Sequence, residues 1–101
     1  MKAGYEPEAS EELDEAAEYA ARASGQIGTG IRLLEEVAAA ERSIEEFPNA
    51  WPQVGRGGVR RFILSTFPYQ IIYRVEGEVI RIYAVAHCKR RPGFWRMRVA
   101  R

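Results

Sequence analysis

The side chains best suited to proton transfer and charge stabilisation lie in the second half of the chain. His87 is the only histidine, and imidazole is the side chain that most readily exchanges a proton near neutral pH. Arg61 and Arg90 could stabilise negative charge that develops in a transition state. We therefore predict a metal-free catalytic site of His87, Arg61 and Arg90. The alternative is that His87 ends a buried strand and bonds only to backbone.

Opposite charges divide the chain at Ala50. Residues 1–50 contain four basic and twelve acidic residues, a net charge of −8, whereas residues 51–101 contain eleven basic and two acidic residues, a net charge of +9. Such asymmetry indicates a polyanionic or acidic partner for the basic half. The competing interpretation is that the acidic half neutralises the basic half within the fold.

Length and composition exclude several classes of protein. A chain of 101 residues is long enough for one hydrophobic core and too short for two, so we predict a single domain over residues 1–101. One cysteine beside one histidine argues against a disulfide or a zinc site. The sequence has no apolar run that could span a bilayer and no signal-peptide core, which predicts a cytoplasmic protein without membrane contact or cofactor.

The elements that must position these residues follow from periodicity. A short strand over residues 2–6 is closed by Pro7, and apolar residues at three- and four-residue spacing then predict a helix from Glu8 to Ser24. Gly25 ends that helix. A second amphipathic helix is predicted from Ile27 to Phe47, and the two helices form an antiparallel hairpin.

Beta patterning replaces helical patterning after a loop rich in proline and glycine. Strands are predicted over Val59–Thr66, Tyr69–Glu76 and Val79–His87, joined as an antiparallel meander. The helix hairpin covers one face of this sheet, which gives an α+β fold in two layers with the order β-α-α-β-β-β. The other face is expected to be free and to present arginines: Arg60 or Arg61, Arg74 and Arg81.

Taken in order, the motifs resemble the RelE/ParE toxin superfamily. The resemblance begins at PEASEEL, continues through FPNAWP and RRF, and includes FPYQIIYRV, IRIYAVAH and RRPGFW. It implies a helix hairpin packed on a twisted antiparallel sheet, and a poison that a co-expressed antitoxin holds inactive. Members of the RelE kind cut mRNA on the ribosome, whereas members of the ParE kind bind DNA gyrase.

The resemblance assigns roles to the basic residues. RNA cleavage needs a base for the 2′-hydroxyl, cations for the phosphorane and an acid for the leaving oxygen, which His87, Arg61 and Arg90 could supply. The tyrosine that RelE-like toxins use falls near Phe94 and Trp95, which cannot transfer a proton from oxygen. Further residues are expected to bind RNA or another target: Arg60, Arg74, Arg81, Lys89, Arg91 and Trp95.

Three functions remain open from the sequence. The first is a toxin that stops translation by ribosome-dependent mRNA cleavage. The second is a non-enzymatic inhibitor of DNA gyrase, and the third is a decayed toxin that only binds its antitoxin. The expected partners are a short acidic or amphipathic antitoxin and either the ribosome with mRNA or gyrase, with DNA bound only indirectly through the antitoxin. Trp51 and Trp95 could instead be packing residues, and Cys88 a small buried residue.

Overall fold

Seven elements follow one another along the chain in the computed structural model, which describes residues 1–101. They are β1 (Lys2–Tyr5), α1 (Pro7–Ser24), α2 (Ile27–Glu46), β2 (Arg60–Ile63), β3 (Tyr69–Glu76), β4 (Val79–His87) and α3 (Arg96–Ala100). The predicted α+β order β-α-α-β-β-β is confirmed. The short C-terminal helix α3 was not predicted from the sequence.

The first long helix, α1, has the boundaries that its terminal residues favour. Pro7 occupies the first turn of α1, where a missing backbone N–H costs nothing. Gly25 ends the helix with a φ of 72°, and the N–H of Gln26 donates back to the carbonyl of Ala21 at 3.1 Å. A left-handed residue at this position is the usual way to satisfy the last carbonyls of a helix. Neither helix combines the length and apolarity needed to cross a membrane.

The sheet has the strand order β1-β4-β3-β2. The predicted antiparallel meander is correct for β2, β3 and β4, but β1 pairs with β4 in parallel. A parallel pair needs a long crossover connection, and the segment from α1 to β3 supplies it. The expectation of an entirely antiparallel sheet is therefore wrong for the first strand.

β2 is shorter than the predicted strand of residues 59–66 because its second half bonds to a helix. The carboxylate of Glu36 on α2 accepts hydrogen bonds from the backbone N–H groups of Ser65 and Thr66, each at 3.0 Å, and from the Ser65 hydroxyl at 3.1 Å. Burial alone would raise the pKa of Glu36, but these hydrogen bonds lower it below its usual value. Leu64 still donates to the carbonyl of Tyr69 in β3 at 2.9 Å, so the chain leaves the sheet after Leu64.

Two separate clusters of buried side chains lie on the two faces of the sheet. The larger one joins the helix hairpin to β3 and β4 and includes Leu33, Val37, Ile44, Ile71 and Ile82. The second lies on the other face, where Phe94 and Trp95 pack against Val59, Ile72, Tyr83, Ala84 and Ala86. The expectation of a free second face is wrong, because the C-terminal segment covers much of it.

Tyr73 anchors the loop after α2 to the main core. Its side chain is fully buried, and its hydroxyl donates to the carbonyl of Pro48 at 2.7 Å. Tyr73→Phe leaves that part-buried carbonyl without its partner, at a cost of about 1–2 kcal/mol. For a domain of this size we expect Tm to fall by roughly 5–10 °C in a thermal melt. Tyr19→Phe is the matched control because Tyr19 is exposed; equal Tm values for the two variants would contradict this role.

Candidate functional site

The two neighbouring arginines of β2 point to opposite faces of the sheet. Arg60 lies on the helix side, where its guanidinium donates to the carbonyls of Asn49 at 3.2 Å and Trp51 at 2.7 Å. Arg61 is exposed and pairs with Ile72 of the second face. Alternation along a strand requires this separation. Arg60 therefore holds the loop that precedes the strand, and only Arg61 remains free to contact a ligand.

His87 also lies on the helix side, at the end of β4. It pairs with Tyr69, and the two rings meet edge to face with centroids 5.6 Å apart. Its Nδ1 accepts the backbone N–H of Lys89 at 3.0 Å, as the structural interpretation of this histidine requires. The sheet thus separates His87 from Arg61. The structure does not bring together the three residues predicted as a catalytic group.

Arg90 is ion-paired to the acidic helix α1. Its guanidinium bonds to the carboxylate of Glu12 on α1 at 3.2 Å and lies over the Phe94 ring, 4.4 Å from the centroid. Arg98 binds the same carboxylate with two N–H groups at 2.8 Å, and the N–H of Val85 adds a fourth hydrogen bond at 3.2 Å. The hydrogen bonds that Arg98 donates to Glu12 raise the pKa of Arg98.

Arg74 and Arg81 are neutralised within the sheet. Arg74 bonds to the carboxylate of Glu76 at 2.7 Å, and Arg81 bonds to it at 3.0 Å. The Tyr83 hydroxyl donates to the same carboxylate. Burial alone would raise the pKa of Glu76, but the hydrogen bonds from Tyr83, Arg74 and Arg81 lower it. The interpretation that acids neutralise bases within the fold holds for these two arginines.

Trp95 is a packing residue at the centre of the second face. Only 7% of its surface is exposed, and a Cβ added at Gly55 would lie 3.2 Å from the indole. Gly55 has a φ of 67°, so glycine is required there both for the backbone and for the close approach. Trp95 cannot stack on a ligand from this position, and it forms the wall between two clefts.

The two clefts beside Trp95 are lined by cations. The first, of about 190 Å³, is lined by Arg61, Arg90, Arg91 and Arg96. The second, of about 580 Å³, is lined by Arg56, Arg74 and Arg96. Neither cleft is lined by an acidic residue, whereas the groove beside His87 contains Glu12 and Glu15. The arrangement favours binding of anions.

We define the arginine face as Arg56, Arg61, Arg91 and Arg96. All four are exposed, and none is ion-paired or hydrogen-bonded to another side chain. Arg61 and Arg91 were among the predicted site residues, but Arg56 and Arg96 were not. The signal for Arg96 was the Pro-Gly pair before it, since Gly93 adopts a φ of 77° and turns the chain back over the sheet.

Cys88 and Lys89 lie next to the arginine face but are not part of it. Cys88 was expected to be buried and is exposed, because β4 ends at His87 and the chain turns outward there. Lys89, a predicted binding residue, is also exposed but lines neither cleft. Both residues belong to the turn that leads into the C-terminal segment.

Comparison with known proteins agrees with the architecture. A family model described as ParE toxin of type II toxin-antitoxin system, parDE, matches residues 4–92. A solved structure described as the chromosomal ParDE TA system from P. aeruginosa has a similar fold, with a TM-score of 0.75 and 18% sequence identity over 86% of this chain and 95% of that chain. No match was found among curated proteins. Because the family model spans most of the chain, the resemblance is confirmed, and the chain belongs to the ParE toxin family of type II toxin–antitoxin systems.

Proposed function

We propose that this toxin acts by binding its target, without catalysis, and that the target is DNA gyrase. The observation that carries the proposal is the position of His87, on the opposite face of the sheet from Arg61 and the arginine face. General acid–base catalysis requires the proton-transferring group within hydrogen-bond reach of the reacting atoms. Gyrase binding is the mode of action that the resemblance gives to ParE-like members.

The decisive experiment compares two activities of the same purified protein. We expect the toxin to inhibit supercoiling of relaxed plasmid by gyrase in a concentration-dependent manner. Primer extension on an mRNA that is being translated should show no discrete cuts after toxin addition. Supercoiling that is unaffected by excess toxin would rule out the gyrase proposal.

Substitution of His87 separates binding from catalysis. Since the ring is on the helix side and its Nδ1 accepts only a local backbone N–H, His87→Ala should preserve inhibition of supercoiling within about twofold, equivalent to less than about 0.5 kcal/mol. The measurement is the toxin concentration that gives half-maximal inhibition. A loss of tenfold or more, with an unchanged melting temperature, would assign His87 a direct role.

Ribosome-dependent mRNA cleavage is the second candidate. The observation that favours it is the proximity of Arg90 to His87, since the backbone N–H of Arg90 donates to the His87 carbonyl at 3.0 Å and both residues line one groove. A guanidinium and an imidazole therefore adjoin each other there. Discrete mRNA cuts that His87→Ala or Arg90→Ala abolishes would establish this function in place of gyrase inhibition. Normal growth during unopposed expression would instead indicate a toxin that retains only antitoxin binding.

The antitoxin is the other partner, as for any toxin of a type II system. We propose that an acidic or amphipathic segment of it docks on the sheet and the basic tail. Four arginines that lack an acid within this chain are exposed there, so charge would contribute to the affinity. The complex should then weaken as salt is added.

A further inference from the structure

We propose that the two clefts beside Trp95 bind the phosphodiester backbone of double-stranded DNA directly. The inference goes beyond the proposed function, because it concerns DNA binding by the toxin alone, in the absence of gyrase and antitoxin. It also departs from the expectation that DNA is contacted only through the antitoxin. The C-terminal segment, residues 93–101, shapes both clefts and supplies one of their arginines, Arg96.

The C-terminal segment lies outside the part of the chain that matches the family model, which ends at residue 92. It builds both clefts, since Trp95 and Arg96 line each of them. Arg96 packs against Gly93 on the side where a Cβ would be. A Cβ added at Gly93 would lie 2.7 Å from the guanidinium carbon of Arg96. The guanidinium also lies 5.9 Å from the centroid of the Trp95 ring. Arg96 is therefore held in the wall that the two clefts share.

Ion pairs and contacts with backbone carbonyls leave the arginine face and Lys89 as the free cations of this half of the chain. Arg98 and Arg101 of the same segment are bound by Glu12 and Glu8 of α1 at 2.8 Å and 2.5 Å. The four arginines of the arginine face have no such carboxylate. Each guanidinium offers planar N–H donors that match phosphate oxygens, and the donors need no rearrangement of the fold to reach a ligand.

The lining of the clefts favours phosphate over a protein segment that binds through apolar anchors. Protein interfaces usually have an apolar core around which polar residues form a rim. Here the large apolar side chains that line the clefts are buried or half-buried, namely Val54, Ile72, Phe94, Trp95 and Val99, and the exposed apolar residues of the lining, Pro92 and Ala100, are small. A peptide would find no large exposed apolar anchor inside either cleft, whereas a phosphate backbone needs only the cations at the rim.

Burial of the aromatic residues also favours a duplex over a single strand. Proteins that bind single-stranded nucleic acid stack its bases on exposed aromatic rings. Phe94 and Trp95 are only 8% and 7% exposed, so neither ring presents a face to a base. In a duplex the bases are already stacked, and contact with the phosphates alone positions the protein without reading sequence.

The test is fluorescence anisotropy of labelled duplex DNA titrated with the full chain at several salt concentrations. If the four arginines each neutralise one phosphate, log K should fall with log salt with a slope of about −3.6. The double variant Arg56→Gln/Arg96→Gln should weaken binding roughly tenfold or more and reduce the magnitude of the slope by about 2. Affinity should not depend on the base sequence of the duplex.

Arg32→Gln/Arg42→Gln is the matched control, since it removes two exposed arginines of α2 and the same amount of charge. It should leave the slope unchanged, and thermal melts should show that both double variants remain folded. Equal losses of DNA affinity in the two double variants would show that only the net charge of the protein matters, and this result would overturn the proposal. So would tighter binding of single-stranded RNA, or displacement of the duplex by polyglutamate at equal charge concentration. Normal supercoiling in the presence of toxin, with DNA binding intact, would reject only the gyrase proposal.

Discussion

Glu12→Ala is expected to lower the free energy of unfolding by about 2–4 kcal/mol. The Glu12 carboxylate receives four N–H groups, two from Arg98, one from Arg90 and one from the Val85 backbone. Its removal leaves the Arg98 guanidinium, which is 12% exposed, without its main counter-charge. The expected loss of stability is smaller than for a fully buried ion pair, because water still reaches the side chains of both Glu12 and Arg98. Chemical denaturation of the purified toxin measures the change.

The position of Glu12 explains why the effect should be large. β1 pairs with β4 only from Val79 to Ile82, so the N–H of Val85 lies beyond the end of β1 and needs another acceptor. Glu12 provides it, and Arg98 donates to the nearby carbonyl of Tyr83 at 3.0 Å. One ion pair therefore closes an open strand edge and holds the C-terminal segment in place. An unpaired edge would otherwise be available to another chain.

Glu11→Ala is the appropriate control, because Glu11 lies one residue away on the same helix and is exposed. Its stability should stay within about 0.5 kcal/mol of the wild type. The double variant Glu12→Ala/Arg98→Ala should cost less than the sum of the two single variants, since the second substitution removes the charge that the first leaves unpaired. Additive losses would show that Glu12 and Arg98 act independently.

The sequence predicts the positions of the long helices and strands well, but it does not predict how all the strands pair in the sheet. Three- and four-residue spacing of apolar positions places both helices, and Gly25 marks the boundary between them. β3 and β4 have the predicted ends at Tyr69, Glu76, Val79 and His87. The parallel pairing of β1 was not predictable in the same way, because no local pattern records which strand of a sheet another strand will join.

For the candidate site, the sequence predicts a basic surface but does not predict which of its arginines remain unpaired. The division of the chain into an acidic and a basic half is visible in composition, and it led to a basic surface. Which arginines stay free depends on contacts such as that between Glu12 and Arg98, which are 86 residues apart. Strand alternation predicts that Arg60 and Arg61 face opposite ways, but the residue that each face meets is a tertiary property. Arg96 was missed because its role depends on the turn at Gly93.

A bulge in β4 also limited the prediction of which side chains share a face. Ile72 pairs with Ala84 and Tyr73 pairs with Ile82, so Tyr83 is an extra residue in its strand. Tyr83 and Ala84 therefore both contact the second cluster, which simple alternation does not allow. Bulges of this kind redirect side chains, and here the bulge brings the Tyr83 hydroxyl to Glu76.

Gly30→Ala and Gly28→Ala should change stability in opposite directions, although the two glycines lie in the same turn of α2. A Cβ at Gly30 would lie 2.5 Å from the carbonyl oxygen of Ala17 and 3.4 Å from the Cβ of Ala21. A Cβ at Gly28 would meet only the end of the flexible Arg32 side chain, at 3.8 Å. Both substitutions gain helix propensity of about 1 kcal/mol, so the difference between them isolates the packing of α1 against α2.

At Gly30 the clash outweighs that gain, because a backbone carbonyl inside α1 cannot move unless the helices separate. Overpacking of a core costs about 1–3 kcal/mol and occasionally more. We expect a net loss of about 2 kcal/mol for Gly30→Ala and a gain of about 0.5–1 kcal/mol for Gly28→Ala. The denaturant midpoints of the two variants give both values, provided that the unfolding free energy of each variant falls with denaturant concentration at the same slope. If Gly30→Ala were as stable as Gly28→Ala, α1 and α2 would have to be farther apart than the structure places them, and the site that α1 supports through Glu12 would need revision.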